Sequence, residues 1–224
     1  MRNYQIAPSL LSADFACLGE EAQRVINAGA DLLHLDAMDN HFVPNLTVGP
    51  LVCEALRRYG IQVEINVHLM AQPVDRLIVD FAKAGATSIT FHPEASEHVN
   101  HSLDLIHKHG CRAGIALKPD TSINCLEPIL DKTDIIIVMS VNPGFSGQTF
   151  IPASLEKIRQ VRKLISSSHK NICLAVDGGI KISNIAQVAQ AGADRFIAGS
   201  AIFNQSDYAR AISEMRMQLA NVKL

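Results

Sequence analysis

Short apolar, β-branched runs recur along the whole chain and alternate with segments of helical spacing. The strand-like runs cover residues 5–11, 31–36, 63–70, 87–92, 112–117, 134–139, 172–177 and 195–199. The helix-like segments between them cover residues 19–28, 51–59, 74–84, 99–109, 123–130, 153–166 and 184–191. Strands that alternate with helices at this rhythm predict repeated βαβ units and therefore a parallel sheet.

A short local repeat supports the same architecture. The triplet Ala-Gly-Ala occurs at residues 28–30, 84–86 and 191–193, each time where a helix should end and a strand should begin. Glycine accepts the left-handed conformation that ends a helix, and the flanking alanines permit close packing of helix on sheet. We therefore expect one supersecondary unit to be repeated along the chain.

Eight strands with intervening helices predict a closed (β/α)8 barrel, the TIM barrel, within the α/β class. An open doubly wound sheet is the alternative, but it usually has fewer strands and a glycine-rich fingerprint after the first one. Here residues 9–15 follow the first strand and contain no such fingerprint. With 224 residues and no linker rich in proline, glycine or serine, residues 1–224 are predicted to form a single barrel domain.

The composition narrows the classes of partner. A formal net charge of −2 and an aromatic content of 5% argue against nucleic acid as the main partner. No apolar stretch approaches the roughly 18 residues of a membrane span, and the first residues do not resemble a signal peptide. The five cysteines are scattered and lack C-x-x-C spacing, which favours reduced thiols and a cytoplasmic location.

Two polar residues, His34 and Asp36, interrupt the apolar run of the second strand and share one face of it. Burying both requires either a mutual hydrogen bond or a metal ion. His68 and Asp177 interrupt two other strands near the same end of the predicted barrel, where catalytic groups gather. Two imidazoles and two carboxylates suit a divalent ion such as Zn²⁺, Fe²⁺, Co²⁺ or Mn²⁺ better than Mg²⁺ or Ca²⁺.

Other strand-end residues surround this set. Ser9 and His92 end the first and fourth strands, and we assign His92 a supporting position only. Met38, Met70 and Met139 close three strands. They are either ordinary core residues or an apolar collar that excludes water from the site.

Three glycine-rich segments follow the last three strands. They are 142–150, with Gly144 and Gly147; 177–180, with Gly178 and Gly179; and 199–203, which begins with Gly199 and Ser200. Backbone N–H groups in such turns, together with a short helix N-terminus, bind phosphate, and TIM barrels place this site after strands 7 and 8. Segment 142–150 is also a candidate lid.

The motifs together resemble the ribulose-phosphate 3-epimerase family, in its bacterial form. The resemblance runs over the whole chain and is carried by Ala7-Pro-Ser-Leu-Leu-Ser-Ala-Asp-Phe15, His34-Leu-Asp-Ala-Met-Asp-Asn-His-Phe-Val-Pro-Asn45, Val67-His-Leu-Met70, Met139-Ser-Val-Asn-Pro-Gly-Phe-Ser-Gly-Gln148, Val176-Asp-Gly-Gly-Ile180 and Ala198-Gly-Ser-Ala-Ile-Phe203. It implies a TIM barrel that interconverts D-ribulose 5-phosphate and D-xylulose 5-phosphate in the pentose phosphate pathway. It also implies one divalent metal per subunit and a homo-oligomer, either a dimer or a hexamer.

The resemblance also implies roles for individual residues. The metal ligands would be His34, Asp36, His68 and Asp177, with Asp36 and Asp177 also forming the acid/base pair. The substrate-binding residues would be Ser9, His68, Gly144, Phe145, Ser146, Gly147, Asp177, Gly178, Gly179, Gly199 and Ser200. The chain departs from the usual family pattern at Asn40, Asn66, Lys118 and Ser146, none of which is a predicted ligand or acid/base group.

Inverting carbon 3 of a 2-ketose requires one group to remove a proton beside the carbonyl and another to return a proton to the opposite face. The two carboxylates suit this reaction, with a metal stabilising the cis-enediolate between the two steps. An epimerase for a six-carbon ketose phosphate, such as allulose 6-phosphate, is the nearest alternative. A phosphosugar lyase or decarboxylase with an Asp-x-Lys-x-x-Asp motif is disfavoured, because segment 34–39 has no lysine. A catalytically inactive phosphate-binding barrel is disfavoured by the presence of all four ligands.

Overall fold

Eight parallel strands form one sheet in the computed structural model, which describes residues 4–222. The strands are β1 (Gln5–Pro8), β2 (Leu32–Met38), β3 (Glu64–Met70), β4 (Ser88–Phe91), β5 (Arg112–Leu117), β6 (Ile135–Met139), β7 (Cys173–Asp177) and β8 (Arg195–Ala198). The sheet order is β1-β8-β7-β6-β5-β4-β3-β2, so β1 and β2 lie at the two ends of the hydrogen-bonded series.

The sheet curves round until these two end strands meet. Ser9, just after β1, forms an isolated parallel bridge with His34 of β2. At the other end of the seam, the Ile6 amide donates to Asp31 Oδ2 at 2.7 Å, and the Asp31 amide donates to the Ile6 carbonyl at 3.1 Å. The predicted (β/α)8 barrel is therefore confirmed.

Helices cover the outside of the barrel. The α-helices are α1 (Leu18–Asn27), α2 (Pro50–Tyr59), α3 (Asp75–Lys83), α4 (Val99–Lys108), α5 (Ser154–Ser168), α6 (Ile185–Ala191), α7 (Ser200–Phe203) and α8 (Tyr208–Ala220). Helix α2 shows both expected end signals, because Pro50 occupies its first turn and Gly60 follows it with φ 110°. Among residues 4–222 no helix has the length and apolar character needed to cross a membrane.

Two predicted segments differ from the structure. The segment predicted as a helix over 123–130 is a 3-10 helix, Ile123–Lys132, that contains Pro128. Proline has no N–H to donate and its ring opposes α-helical packing, so the tighter and less regular helix takes its place. The first strand ends at Pro8 rather than residue 11, because the chain turns into a 3-10 helix at Leu10–Ser12.

Strand residues alternate between two apolar layers. One layer, which includes Leu33, Leu35, Ile65 and Val67, packs between the sheet and the helices. A smaller cluster fills the interior of the barrel and includes Ala7, Leu32, Ala116, Ile135, Ile137, Met139, Ala175 and Ile197. Since side chains alternate along a strand, the residues of β2 that share a face with Leu32 also point into the barrel. Those residues are His34, Asp36 and Met38.

Candidate functional site

Four polar side chains meet inside the barrel near the carboxyl ends of its strands. They come from β2 (His34 and Asp36), β3 (His68) and β7 (Asp177), and one ligand atom from each lies within 4.8 Å of the others. His34 Nε2 lies 3.2 Å from Asp36 Oδ1 and 3.9 Å from Asp177 Oδ2. His68 Nδ1 lies 3.3 Å from Asp36 Oδ1 and 3.6 Å from Asp177 Oδ2. The two imidazoles therefore both face the two carboxylates.

Hydrogen bonds from residues outside the cluster orient two of its members, His34 and Asp36. The ring of His34 faces Asn66 Oδ1 through Nδ1, at 2.8 Å. The hydroxyl of Ser9 donates to Asp36 Oδ2 at 2.6 Å, which leaves Oδ1 of the same carboxylate toward the imidazoles. His34 Nε2 is buried and, among residues 4–222, makes no hydrogen bond. A buried imidazole nitrogen without a hydrogen bond, beside two carboxylates, is the arrangement that a divalent cation satisfies.

The electrostatics of the cluster point the same way. Burial raises the pKa of the Asp36 carboxyl, but the adjacent imidazoles of His34 and His68 outweigh burial and hold that pKa below its usual range. Burial lowers the pKa of His68, yet hydrogen bonds to Asp177 and Asp36 prevail and raise it to about 9. A proton on His68 thus balances the two carboxylates in the metal-free protein. A metal ion held by the same four groups would take over that role and displace the proton.

His92 supports His68 from the side away from the carboxylates. Its Nε2 lies 3.0 Å from His68 Nε2. Burial, the neighbouring His68 and Lys118 all lower the pKa of His92, which favours its neutral ring beside His68. This contact fixes the orientation of His68, in keeping with the supporting position assigned to His92 from the sequence.

A cleft opens above the cluster. Asp36 and Asp177 reach its surface, whereas His34 and His68 lie beneath it and do not line it. The three methionines of the predicted collar all line the cleft, as do Ser9, Gly144, Phe145, Ser146, Gly147, Gly178, Gly179, Gly199 and Ser200. The predicted substrate residues therefore surround one cavity, with the exception of His68.

The glycine-rich segments form one wall of this cleft. Gly178 and Gly179 follow β7 with φ of 112° and 64°. A Cβ at Gly179 would clash with the backbone of Phe150, so only glycine allows this close approach. The result is a wall of backbone after the last strands, which is the kind of surface that binds phosphate.

Several contacts at the site were not predicted from the sequence. Asn45 Nδ2 donates to the carbonyl of Gly144 at 2.7 Å and so links the loop after β2 to the candidate lid. The hydroxyl of Ser140 donates to the carbonyl of Gly178 at 2.6 Å. Ser12 Oγ lines the cleft and is buried without a hydrogen bond in the described part of the chain. The two hydrogen bonds join residues distant in sequence, so no local pattern signals them.

One of the departures from the family pattern, Asn40, has a structural explanation. Asn40 is exposed and has φ 58°, a left-handed conformation in which glycine and asparagine are the favoured residues. Its amide donates to the Asn45 carbonyl at 2.8 Å, which shapes the loop after β2. Ser146 is exposed at the tip of the candidate lid. Neither residue belongs to the four-residue cluster.

Comparison with known proteins decides the family. The model of the ribulose-phosphate 3 epimerase family matches residues 5–203, which include every strand of the barrel. The chain belongs to the ribulose-phosphate 3-epimerase family. The family resemblance noted from the sequence motifs is thus confirmed.

Curated members of the ribulose-phosphate 3-epimerase family are similar over nearly the full chain. The chain is 58% identical to the ribulose-phosphate 3-epimerase of Escherichia coli strain K12 over 222 residues, which covers 99% of each protein. It is 61% identical to that of Serratia marcescens over 208 residues, covering 93% of this chain and 99% of the relative.

Solved structures of lower identity share the fold alone. KGPDC from Streptococcus mutans matches with a TM-score of 0.73 at 16% identity and covers 99% of each chain. A 3-hexulose-6-phosphate synthase matches with a TM-score of 0.69 at 18% identity, covering 96% of this chain and 99% of that one. The barrel is thus common to proteins of different names, and function has to be argued from the site.

Proposed function

We propose that this chain interconverts D-ribulose 5-phosphate and D-xylulose 5-phosphate, using one divalent metal ion held by His34, Asp36, His68 and Asp177. The observation that carries the proposal is the convergence of these four side chains at the floor of a cleft. Family membership, and relatives of 58% and 61% identity that are named ribulose-phosphate 3-epimerase, support the choice of substrate.

The two carboxylates are suited to move a proton from one face of the substrate to the other. Asp36 and Asp177 lie on β2 and β7, which are three steps apart around the barrel across the β1–β2 seam. They therefore enter the cleft from different walls. In our scheme Asp36 removes the proton at carbon 3 and Asp177 returns a proton to the opposite face, with the roles exchanged in the reverse direction.

The remaining groups hold the substrate and exclude water. A bound divalent cation supplies Lewis-acid stabilisation for the negative charge that develops beside the ketone. The donor set of two imidazoles and two carboxylates suits Zn²⁺, Fe²⁺, Co²⁺ or Mn²⁺. Met38, Met70 and Met139 cover the cluster and keep water from the carbanionic substrate. The backbone wall after β7 and β8 and the segment with Gly144 and Gly147 would bind the phosphate.

Metal analysis combined with activity measurement tests the proposal. Purified protein should contain about one equivalent of divalent metal by elemental analysis. Chelation should remove both metal and epimerase activity, and added Zn²⁺ or Mn²⁺ should restore both. Full activity in a metal-free preparation would refute the metal-dependent scheme. Faster turnover of allulose 6-phosphate than of ribulose 5-phosphate would instead favour the six-carbon alternative.

The family resemblance also leads us to propose a homo-oligomer, either a dimer or a hexamer. Leu46 and Leu51 have exposed fractions of 72% and 77%, so they are available to a neighbouring subunit. Sedimentation velocity at several protein concentrations would measure the assembly state. A monomer at all concentrations would contradict this part of the proposal.

A further inference from the structure

A line of four hydrogen-bonded side chains runs through the barrel interior, from the amino ends of the strands to the candidate metal site. It begins at Glu64, the first residue of β3, and passes through Ser88 and Asn66 to His34. The three contacts measure 2.9, 2.8 and 2.8 Å respectively. His34, Asn66 and Ser88 are fully buried and occupy successive positions in register across β2, β3 and β4.

The Glu64 end of this line is held by arginine. Arg195, which is only 1% exposed, donates to Glu64 Oε1 at 2.9 Å and to Oε2 at 3.2 Å. This two-fold contact holds the carboxylate in place. An ionised carboxylate only accepts hydrogen bonds. Glu64 therefore determines which group donates and which group accepts in each contact of the line.

Each following contact then has a single possible direction. Ser88 gives its one hydroxyl proton to Glu64, so its oxygen accepts a hydrogen bond from Asn66 Nδ2. The amide of Asn66 consequently turns its Oδ1 toward His34. Since Oδ1 is an acceptor, it favours the tautomer of a neutral His34 ring that carries its proton on Nδ1. In that tautomer the lone pair is on Nε2, the nitrogen that faces Asp36 and Asp177.

This selection of tautomer matters for the metal site. A proton on Nε2 would point into the cluster and block coordination there, whereas a lone pair on Nε2 binds a cation. We propose that Glu64, Ser88 and Asn66 are positioning residues that keep His34 in the tautomer that binds metal. The inference rests on the metal site of the proposed function, and it concerns residues remote from the substrate cleft.

The amide of Asn66 is the member of the line whose orientation can reverse. Rotation of the side chain exchanges the positions of its oxygen and nitrogen. Within the described residues, Asn66 Nδ2 has one contact besides Ser88, a long one to Thr90 Oγ1 at 3.4 Å. Ser88→Ala removes the acceptor that determines which way the amide points. A rotated amide would donate to His34 Nδ1 and move the ring proton to Nε2.

Nitrogen NMR of the imidazoles and zinc affinity test the inference directly. In metal-free protein, at a pH where the ring is neutral, His34 should show an Nδ1–H signature. In Ser88→Ala the Nε2–H form should appear, and the affinity for Zn²⁺, measured by competition with a chelator, should fall about tenfold. Ser102→Ala is the matched control, since Ser102 is an equally buried serine, on α4 and outside the line. It should leave both readouts unchanged.

A second substitution, Asn66→Asp, distinguishes an effect on the orientation of the residue 66 side chain from general damage to the site. An ionised aspartate at position 66 has two acceptor oxygens and no N–H, so its rotation cannot change the proton position on His34. In the Asn66→Asp background, Ser88→Ala should therefore leave the Nδ1–H signature and the zinc affinity intact.

Two results would overturn the inference. The first is a Ser88→Ala variant whose His34 signature is unchanged and whose zinc affinity is within twofold of that of the unsubstituted protein. The second is a loss of zinc affinity on Ser88→Ala that is as large in the Asn66→Asp background as in the unsubstituted protein. The NMR signature is measured without metal, so it tests the role of the line independently of the proposed metal site. Failure of the unsubstituted protein to bind Zn²⁺ would refute the proposed metal site instead.

Discussion

The barrel interior holds a cluster of charged side chains at each end, and the two clusters are satisfied differently. At the amino ends of the strands, Arg195 contacts both oxygens of Glu64 and also donates to Gln5 Oε1 at 3.0 Å. At the carboxyl ends, Asp36 and Asp177 face two imidazoles, and His34 Nε2 lacks a hydrogen bond within residues 4–222. In the first cluster the charged groups are paired with each other, whereas in the second a buried imidazole nitrogen of the described residues lies beside two carboxylates without a hydrogen bond.

This difference separates stability from function within one fold. Arg195 and Glu64 satisfy each other across the barrel interior and so link β8 with β3, which are not neighbours in the sheet. A cluster of two imidazoles and two carboxylates at the open end of the barrel is suited to bind a cation and a substrate. Substitutions at the two ends should therefore change different measured quantities.

The largest expected effect is at the carboxyl end. Asp177→Asn removes one of the two proposed proton carriers and should lower kcat by about 10²- to 10⁴-fold with the fold intact. Circular dichroism would establish the fold, and a coupled assay for xylulose 5-phosphate would give kcat. Near-normal kcat in this variant would refute the scheme of two carboxylates.

A substitution at the amino end should act on stability instead. Arg195→Met leaves Glu64 without its buried partner and should lower the free energy of unfolding by about 2 to 3 kcal/mol. Arg112→Met is the control, because Arg112 is 45% exposed and lies 3.7 Å from Glu64; its loss should cost less than about 1 kcal/mol. Urea denaturation measures both. Equal effects of the two substitutions would contradict the contrast between buried and exposed arginine.

The cluster at the carboxyl ends should also make stability depend on pH. The pKa of His68 is about 9 in the folded metal-free protein, above the roughly 6.5 of an unfolded histidine. Its charged form therefore contributes stability that is fully present below about pH 6.5 and is lost as the pH rises through 9. Urea midpoints of chelator-treated protein should fall over this range. His68→Gln should abolish that fall, and a midpoint that rises with pH would contradict the assignment.

The smallest expected effect concerns the candidate lid. Ser146→Gly changes an exposed side chain at the edge of the cleft, so stability should be unaltered and kcat/KM should change by about twofold at most. Steady-state kinetics would measure this change. A tenfold loss would show that the Ser146 hydroxyl takes part in substrate binding.

Much of the architecture was predictable because it depends on local patterns. The eight apolar runs place strands within a few residues of their observed positions, and the three Ala-Gly-Ala triplets lie where helices end. The segment around Pro128 was less predictable. Its apolar spacing is helical, but proline and the short connection select a 3-10 helix, and a periodicity of apolar residues does not distinguish the two.

The site was predictable only in its four proposed metal ligands. His34, Asp36, His68 and Asp177 stand out because each interrupts an apolar strand near its carboxyl end, and all barrel strands place those ends together. Asn66, Ser88 and Glu64 give no such signal. Polar residues near the start of a strand look like ordinary solvent-facing positions until the sheet closes and turns them inward.

The sequence by itself determined the class of fold, the family and the chemical composition of the site, because periodicity, turn residues and interrupted strands are local properties of the chain. Tertiary structure alone decided which nitrogen of His34 faces the carboxylates, since that choice depends on a line of contacts through β3 and β4 to Glu64. The same limit applies to the pairing of Arg195 with Glu64, which are 131 positions apart. Contacts of this kind exist only once the barrel has closed.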